Sequence, residues 1–157
     1  MTILENRYMT MVKTALGPEI LKHMDDPAVI EIMLNPDGQL WIEKLHQGVL
    51  STGYTITPAQ AENIIKLIAS FKNNVVNEST PMLSTELPLS ASRFQGWLPP
   101  VVSQPCFTIR KHSKLVLTLN DYEAAKILTQ AQRIFLTEAV LAKKNIVIAG
   151  GTGSGKT

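Results

Sequence analysis

Gly150, Gly151, Thr152, Gly153, Ser154, Gly155, Lys156 and Thr157 combine glycine, lysine and hydroxyl side chains at a spacing suited to holding phosphate. Gly150, four intervening residues and then Gly155-Lys156-Thr157 make the G-x-x-x-x-G-K-[ST] pattern of a phosphate-binding loop. In such a loop successive backbone N–H groups curl around phosphate oxygens, a curvature that needs positive φ and leaves no room for a Cβ. Lys156 is expected to reach the β- and γ-phosphates and the Thr157 hydroxyl to ligate Mg2+, with a following helix adding its positive dipole end. A merely flexible glycine turn would leave the preceding residues unexplained. Ile146-Val147-Ile148 is β-branched throughout, and it is read as the strand that feeds the loop.

The helix after the loop, an acidic strand supporting the metal and a residue orienting the attacking water would all fall beyond Thr157. The sequence is therefore expected to be a fragment, the front of a nucleotide-binding machine that does not turn over nucleotide alone.

The elements that would position this loop follow from periodicity and punctuation. Residues 3–16 carry Leu4, Tyr8, Met11 or Val12, and Ala15 at helical spacing, and Gly17-Pro18 breaks the pattern. A short helix with Ile20, Leu21 and Met24 then runs to Asp25-Asp26-Pro27. This region reads as a helical arm on a sheet, or alternatively as an oligomer contact. Val29 to Asn35 and Gln39 to Glu43 form a hairpin around Asn35-Pro36-Asp37-Gly38, with Val49 to Tyr54 as a third strand. Thr57-Pro58-Ala59-Gln60 is a capping box, opening a helix with Ala61, Ile64, Ile65, Ile68 and Phe71 on one face. Three further strands are expected at Met82 to Leu87, Arg93 to Leu98 and Cys106 to Arg110, separated by loop composition.

The fold class is thus α+β over residues 1–111, with about six mainly antiparallel strands plus helices. Residues 112–119 read as an interdomain linker. Residues 120–157 read as the start of the P-loop domain, with a cap at Asn120 for one helix and a capping box at Thr129-Gln130-Ala131-Gln132 for the next. Ala131, Ile134, Phe135, Val140 and Leu141 of that second helix are expected to pack on the strand at Ile146.

Composition bounds the function. With 45% hydrophobic and 18% charged residues the 157-residue chain is of folding, globular type. A net charge of +2 with scattered Lys and Arg gives no argument for nucleic acid. No run is long and apolar enough for a membrane span, and no signal layout opens the chain, so a cytoplasmic protein is expected. The lone Cys106 reads as a buried small residue in a strand. Two arginines stand out in the first domain. Arg93 opens one strand and Arg110 closes another; they are surface residues, or they are guanidinium forks for the oxygens of a terminal phosphate. Glu31, Glu43 and Glu86 have no spacing that marks acid/base work, and His23, His46 and His112 are isolated.

Val29-Ile30-Glu31-Ile32-Met33-Leu34-Asn35-Pro36-Asp37-Gly38, Glu86-Leu87-Pro88, Arg93-Phe94-Gln95-Gly96 with Pro99-Pro100, Ile109-Arg110-Lys111 and the run from Asn145 to Thr157 occur in this order in the secretion traffic ATPases. The chain most closely resembles the TrbB-like conjugal-transfer ATPases of type IV secretion, along essentially its whole length. The resemblance implies a hexameric, cytoplasmic ATPase peripheral to the inner membrane, where other type IV secretion components would be its partners. It also implies an N-terminal domain and a RecA-like α/β domain clasping ATP and Mg2+, with Arg93 and Arg110 reaching the phosphates alongside Lys156. One departure is visible: Ser90-Ala91-Ser92 stands where relatives often have a glycine shortly before the arginine. Two other readings remain open. One is a non-catalytic N-terminal assembly domain; the other is a motor of the related type II secretion or type IV pilus systems.

Overall fold

The computed structural model describes the backbone of residues 3–45, 47–112 and 117–151, and side chains over the same stretches from residue 6 onward. The chain forms two compact units, Met1–Lys114 and Leu115–Thr157.

The first unit begins with α1 (Ile3–Asp25), which is two helical segments meeting at Gly17. Gly17 has φ 74 and ψ 168, a conformation that costs a residue with a Cβ dearly, and Pro18 follows at the first turn of the second segment. The strands are β1 (Val29–Leu34), β2 (Gln39–Lys44), β3 (Gly48–Thr55), β4 (Met82–Glu86), β5 (Arg93–Trp97) and β6 (Cys106–Arg110), with α2 (Pro58–Phe71) between β3 and β4. They make one six-stranded sheet in the order β3-β2-β1-β6-β5-β4. Every pairing is antiparallel. Two meanders, β1-β2-β3 and β4-β5-β6, therefore meet where their inner strands β1 and β6 pair. This is the α+β architecture expected from the sequence.

Alternation explains which face is buried. Ile32 and Leu34 of β1, Leu40 and Ile42 of β2, Phe94 of β5, and Phe107 and Ile109 of β6 are all buried. They form one core with Val12, Leu16 and Ile20 of α1 and Ala61, Ile64, Ile65 and Ile68 of α2. Fully burying a large aliphatic side chain is worth about 1.5–3 kcal/mol, so this face holds the unit together. The α2 helix starts as its sequence dictates: Thr57 accepts from the Gln60 N–H while the Gln60 side chain accepts from the Thr57 N–H. Gly96 lets α2 come close, because a Cβ there would lie 3.0 Å from Ile65 Cγ1 and 3.1 Å from Phe94 Cε1. Tyr8 meets Phe71 edge-on at 5.6 Å between ring centroids and so ties α1 to α2. Cys106 is buried, and burial pushes its thiol up, in keeping with an inert strand cysteine.

The second unit contains α3 (Leu119–Ala124) and α4 (Gln130–Leu141). Three sequence expectations need correction here. The first helix is capped by Thr118, paired with Asp121 in a capping box, and not by Asn120. Ile146-Val147-Ile148 is not a strand: residues 144–151 have no regular structure, and Val147 is 91% exposed. A strand exists only where a neighbour takes its ladder hydrogen bonds, and among the described residues this unit offers none. Consequently Ala131, Ile134, Phe135, Val140 and Leu141 stay exposed rather than packing on it, and Ala139 is the buried residue of α4. The Thr129–Gln132 capping box forms as expected.

Candidate functional site

The face of the sheet opposite the helices carries the polar members of each strand's alternation. Arg93 opens β5 because the chain turns back sharply after β4. The Leu87 N–H donates to the Ser92 carbonyl at 2.8 Å, and the Ala91 N–H donates to the Leu87 carbonyl at 3.0 Å. Ala91 sits at φ 52, the left-handed region, which is strained for a residue with a Cβ. The Ser90 and Ser92 hydroxyls lie 2.7 Å apart and close the turn from within. This sets Glu86 directly opposite Arg93. At the end of β6 the Lys111 N–H donates to the Ile30 carbonyl at 2.9 Å, and Lys111 Nζ donates to the carbonyl oxygens of His23 and Asp26. The last residues of β6 are thereby pinned against β1 and the end of α1.

The register then brings together what the sequence keeps far apart. Arg93 is the direct partner of Arg110 across β5 and β6. Arg110 is in turn the partner of Glu31 on β1, and Glu31 of Glu43 on β2. A single row of charge crosses the sheet: Glu43, Glu31, Arg110, Arg93, Glu86. Directly opposed residues have Cβ atoms about 4.5–5.5 Å apart, so the two arginine side chains leave the sheet side by side. Both arginines are exposed, and among the described residues neither side chain makes a hydrogen bond or an ion pair. Like charges placed opposite one another destabilise a sheet, by a few tenths of a kcal/mol to about 1 kcal/mol. An anion bound between them reverses that sign. Arg93 also lines a shallow cleft of about 510 Å³ with Lys72, Glu86 and Gln95, which adds a third cation near the β4 edge.

Glu31 is half-buried. Burial pushes its carboxyl above the usual range, Arg110 pulls it down, and Glu43 pushes it up again. The sequence reading assigned no chemistry to Glu31, Glu43 or Glu86. Strand alternation alone would have put each on the polar face of its own strand, but which strands adjoin was not readable.

Gly150 and Gly151 belong to the second unit. Thr152, Gly153, Ser154, Gly155, Lys156 and Thr157, with the expected Mg2+ ligand among them, lie outside the described residues, as do His46 and the linker positions 113–116. Among the described residues no cluster of His, Cys, Asp and Glu could hold a metal ion. No helix there is long and apolar enough to cross a membrane.

No protein-family profile matches the chain. It is 44% identical over 151 residues to a conjugal transfer protein TrbB of Rhizobium radiobacter, covering 96% of this chain and 46% of that protein. It is 28% identical to the type IV secretion system protein VirB11 of Bartonella quintana, covering 98% of this chain and 52% of that one. Among solved structures it matches the VirB11 ATPase of the Brucella suis type IV secretion system in complex with sulphate. The TM-score is 0.70 and the identity 25%, over 99% of this chain and 53% of the other. The chain spans about half the length of the relatives it matches. On sequence and fold together, it belongs with the TrbB-like and VirB11-like proteins of conjugal transfer and type IV secretion.

Proposed function

We propose that the intact protein is an ATPase of conjugal transfer or type IV secretion, in which this chain supplies phosphate-binding groups. The observation that carries the reading is the direct opposition of Arg93 and Arg110, two unpaired guanidinium groups side by side on an open sheet face. Planar forks in that arrangement suit the several oxygens of a phosphate. Lys156 and the backbone of residues 150–157 supply the second set of phosphate ligands, on the strength of their sequence pattern. Thr157 suits the coordination of Mg2+ there, and the metal neutralises charge developing on the phosphates when it is bound. The described residues fit ATP in that both arginine side chains are exposed and no carboxylate is ion-paired with either.

The domain division of the reading is residues 1–111, a linker at 112–119 and the beginning of a RecA-like domain at 120–157. The intact protein works in this proposal as a homo-hexamer, cytoplasmic and peripheral to the inner membrane, with other type IV secretion components as partners. The relatives' names support the process, and the fold match to a VirB11 ATPase supports the chemistry.

The test is Arg93→Ala and Arg110→Ala in the full-length protein. Each should lower ATP turnover more than tenfold, since a donor of this kind is worth about 3 kcal/mol in the transition state. Urea unfolding of both variants should stay close to wild type, because each change removes one like-charge opposition to the other arginine and one opposite-charge neighbour, Glu31 or Glu86. Wild-type turnover in both would overturn the proposal.

A further inference from the structure

The charged row does not end with the arginines. Glu31 sits directly across from Arg110, on the side away from Arg93, and Glu86 sits directly across from Arg93 on the other side. Neither carboxylate is within ion-pair distance of its arginine, although both residues lie next to one in the ladder. A carboxylate that grips its neighbour orients it. One that stands beside it at a distance acts through its field alone, and that field opposes any anion arriving at the arginines. Glu31 is the stronger of the two because it is half-buried, where water screens it less, whereas Glu86 is exposed.

We propose that Glu31 is a built-in counter-charge at the Arg93–Arg110 anion site, weakening anion retention while ionised and releasing that restraint when protonated. The inference rests on the anion-binding reading above and deepens it by naming a regulator of the same site. The groups facing Glu31 are few. Across β2 stands Glu43, a second negative charge, and across β6 stands Arg110. Its same-face neighbour along β1, Met33, is apolar, Lys44 is engaged by Asp26 at 2.8 Å, and Lys111 is turned to the carbonyls of His23 and Asp26. Burial and Glu43 together favour the neutral form, so Glu31 takes up a proton above the ordinary glutamate range. An anion bound nearby favours the neutral form further. By linkage, anion binding and proton uptake strengthen each other.

Sulfate is the suitable probe, because it keeps its charge across the pH range in which a carboxylate titrates. Its binding is followed through the arginine side-chain N–H signals in NMR spectra of the 157-residue chain. Lys156→Ala in every sample silences the phosphate-binding loop. In the wild-type sheet, sulfate affinity should rise as pH falls through the titration of Glu31. Glu31→Gln should bind sulfate roughly threefold to tenfold more tightly at pH of about 7.5, as expected for removing one charge several ångströms away, and should lose most of that pH slope, with the remainder due to Glu86. Glu86→Gln should show a smaller gain. A merely structural glutamate would give weaker or unchanged binding when replaced. Unchanged or weaker binding in Glu31→Gln, or a flat wild-type pH profile, therefore overturns the inference and leaves the arginine site standing. Sulfate binding that survives both Arg93→Ala and Arg110→Ala overturns the anion site itself, and the counter-charge with it.

Discussion

Gly96 and Ile65 make a quantitative test of how the site-bearing sheet is held. A methyl group at position 96 would stand 3.0 and 3.2 Å from two carbons of Ile65 and 3.1 Å from Phe94 Cε1. Carbon atoms attract best at about 3.5–4.0 Å, so all three contacts would be repulsive. Ile65 is 0% and Phe94 1% exposed, which leaves neither a free direction in which to yield. Gly96→Ala should therefore cost about 1–3 kcal/mol, the range for an overpacked core. Ile65→Ala alone should cost about 2–5 kcal/mol through lost burial and a cavity. In the double variant the new methyl enters the space Ile65 leaves, so two of the three repulsions vanish and part of the cavity is filled. The two costs should fall short of additive by at least about 1 kcal/mol. Urea unfolding followed by tryptophan fluorescence is the assay. Trp41 and Trp97 are the chain's two tryptophans, and both lie in this sheet, so the signal reports on the first unit alone. Additivity within about 0.3 kcal/mol, or an unchanged midpoint for Gly96→Ala, would refute the close approach of α2 to β5.

Two further outcomes are expected from the same assay. Ala91→Gly should stabilise the first unit by up to about 1 kcal/mol, because the left-handed conformation at φ 52 costs alanine about 1–2 kcal/mol and glycine's greater unfolded-state freedom returns only part of that; a loss of stability would mean the turn does not strain Ala91. Hydrogen bonds from Lys44 and the Ala28 N–H hold the Asp26 carboxyl below its usual range. Its stabilising contribution is present above the unfolded-state value of about 4 and is lost as pH falls through the lower folded value. Asp26→Asn should thus be less stable than wild type near neutrality, with the gap closing in acid, and a gap independent of pH would refute the linkage.

Local chemistry was readable from the sequence wherever a few adjacent residues settle it. Thr57 and Gln60 cap α2 through contacts three residues apart, and the apolar positions from Ala61 to Ile68 recur with the helical period, so start, type and buried face all followed. The turn at Asn35 to Gly38 and the break at Gly17-Pro18 are equally short-range. The same local reading failed where two candidates competed: Thr118 and Asn120 both suit a cap, and the Thr118–Asp121 reciprocity decided for the first. It failed differently at Ile146-Val147-Ile148, because β-branched content expresses a preference for a pleated surface, whereas a strand is a relation to a neighbour. Arg93 and Arg110 were legible as two cations at strand ends and nothing more. Only the sheet order, which returns β6 to the side of β1 and lays β5 beyond it, made them opposite partners and put Glu31 and Glu86 on either side. Register is decided by the packing of one whole face of the sheet, since a slip of one residue would turn Ile32, Ile109 and Phe94 to solvent, and that packing involves residues about eighty positions apart. The charged row on the outer face is the consequence of the apolar agreement on the inner one.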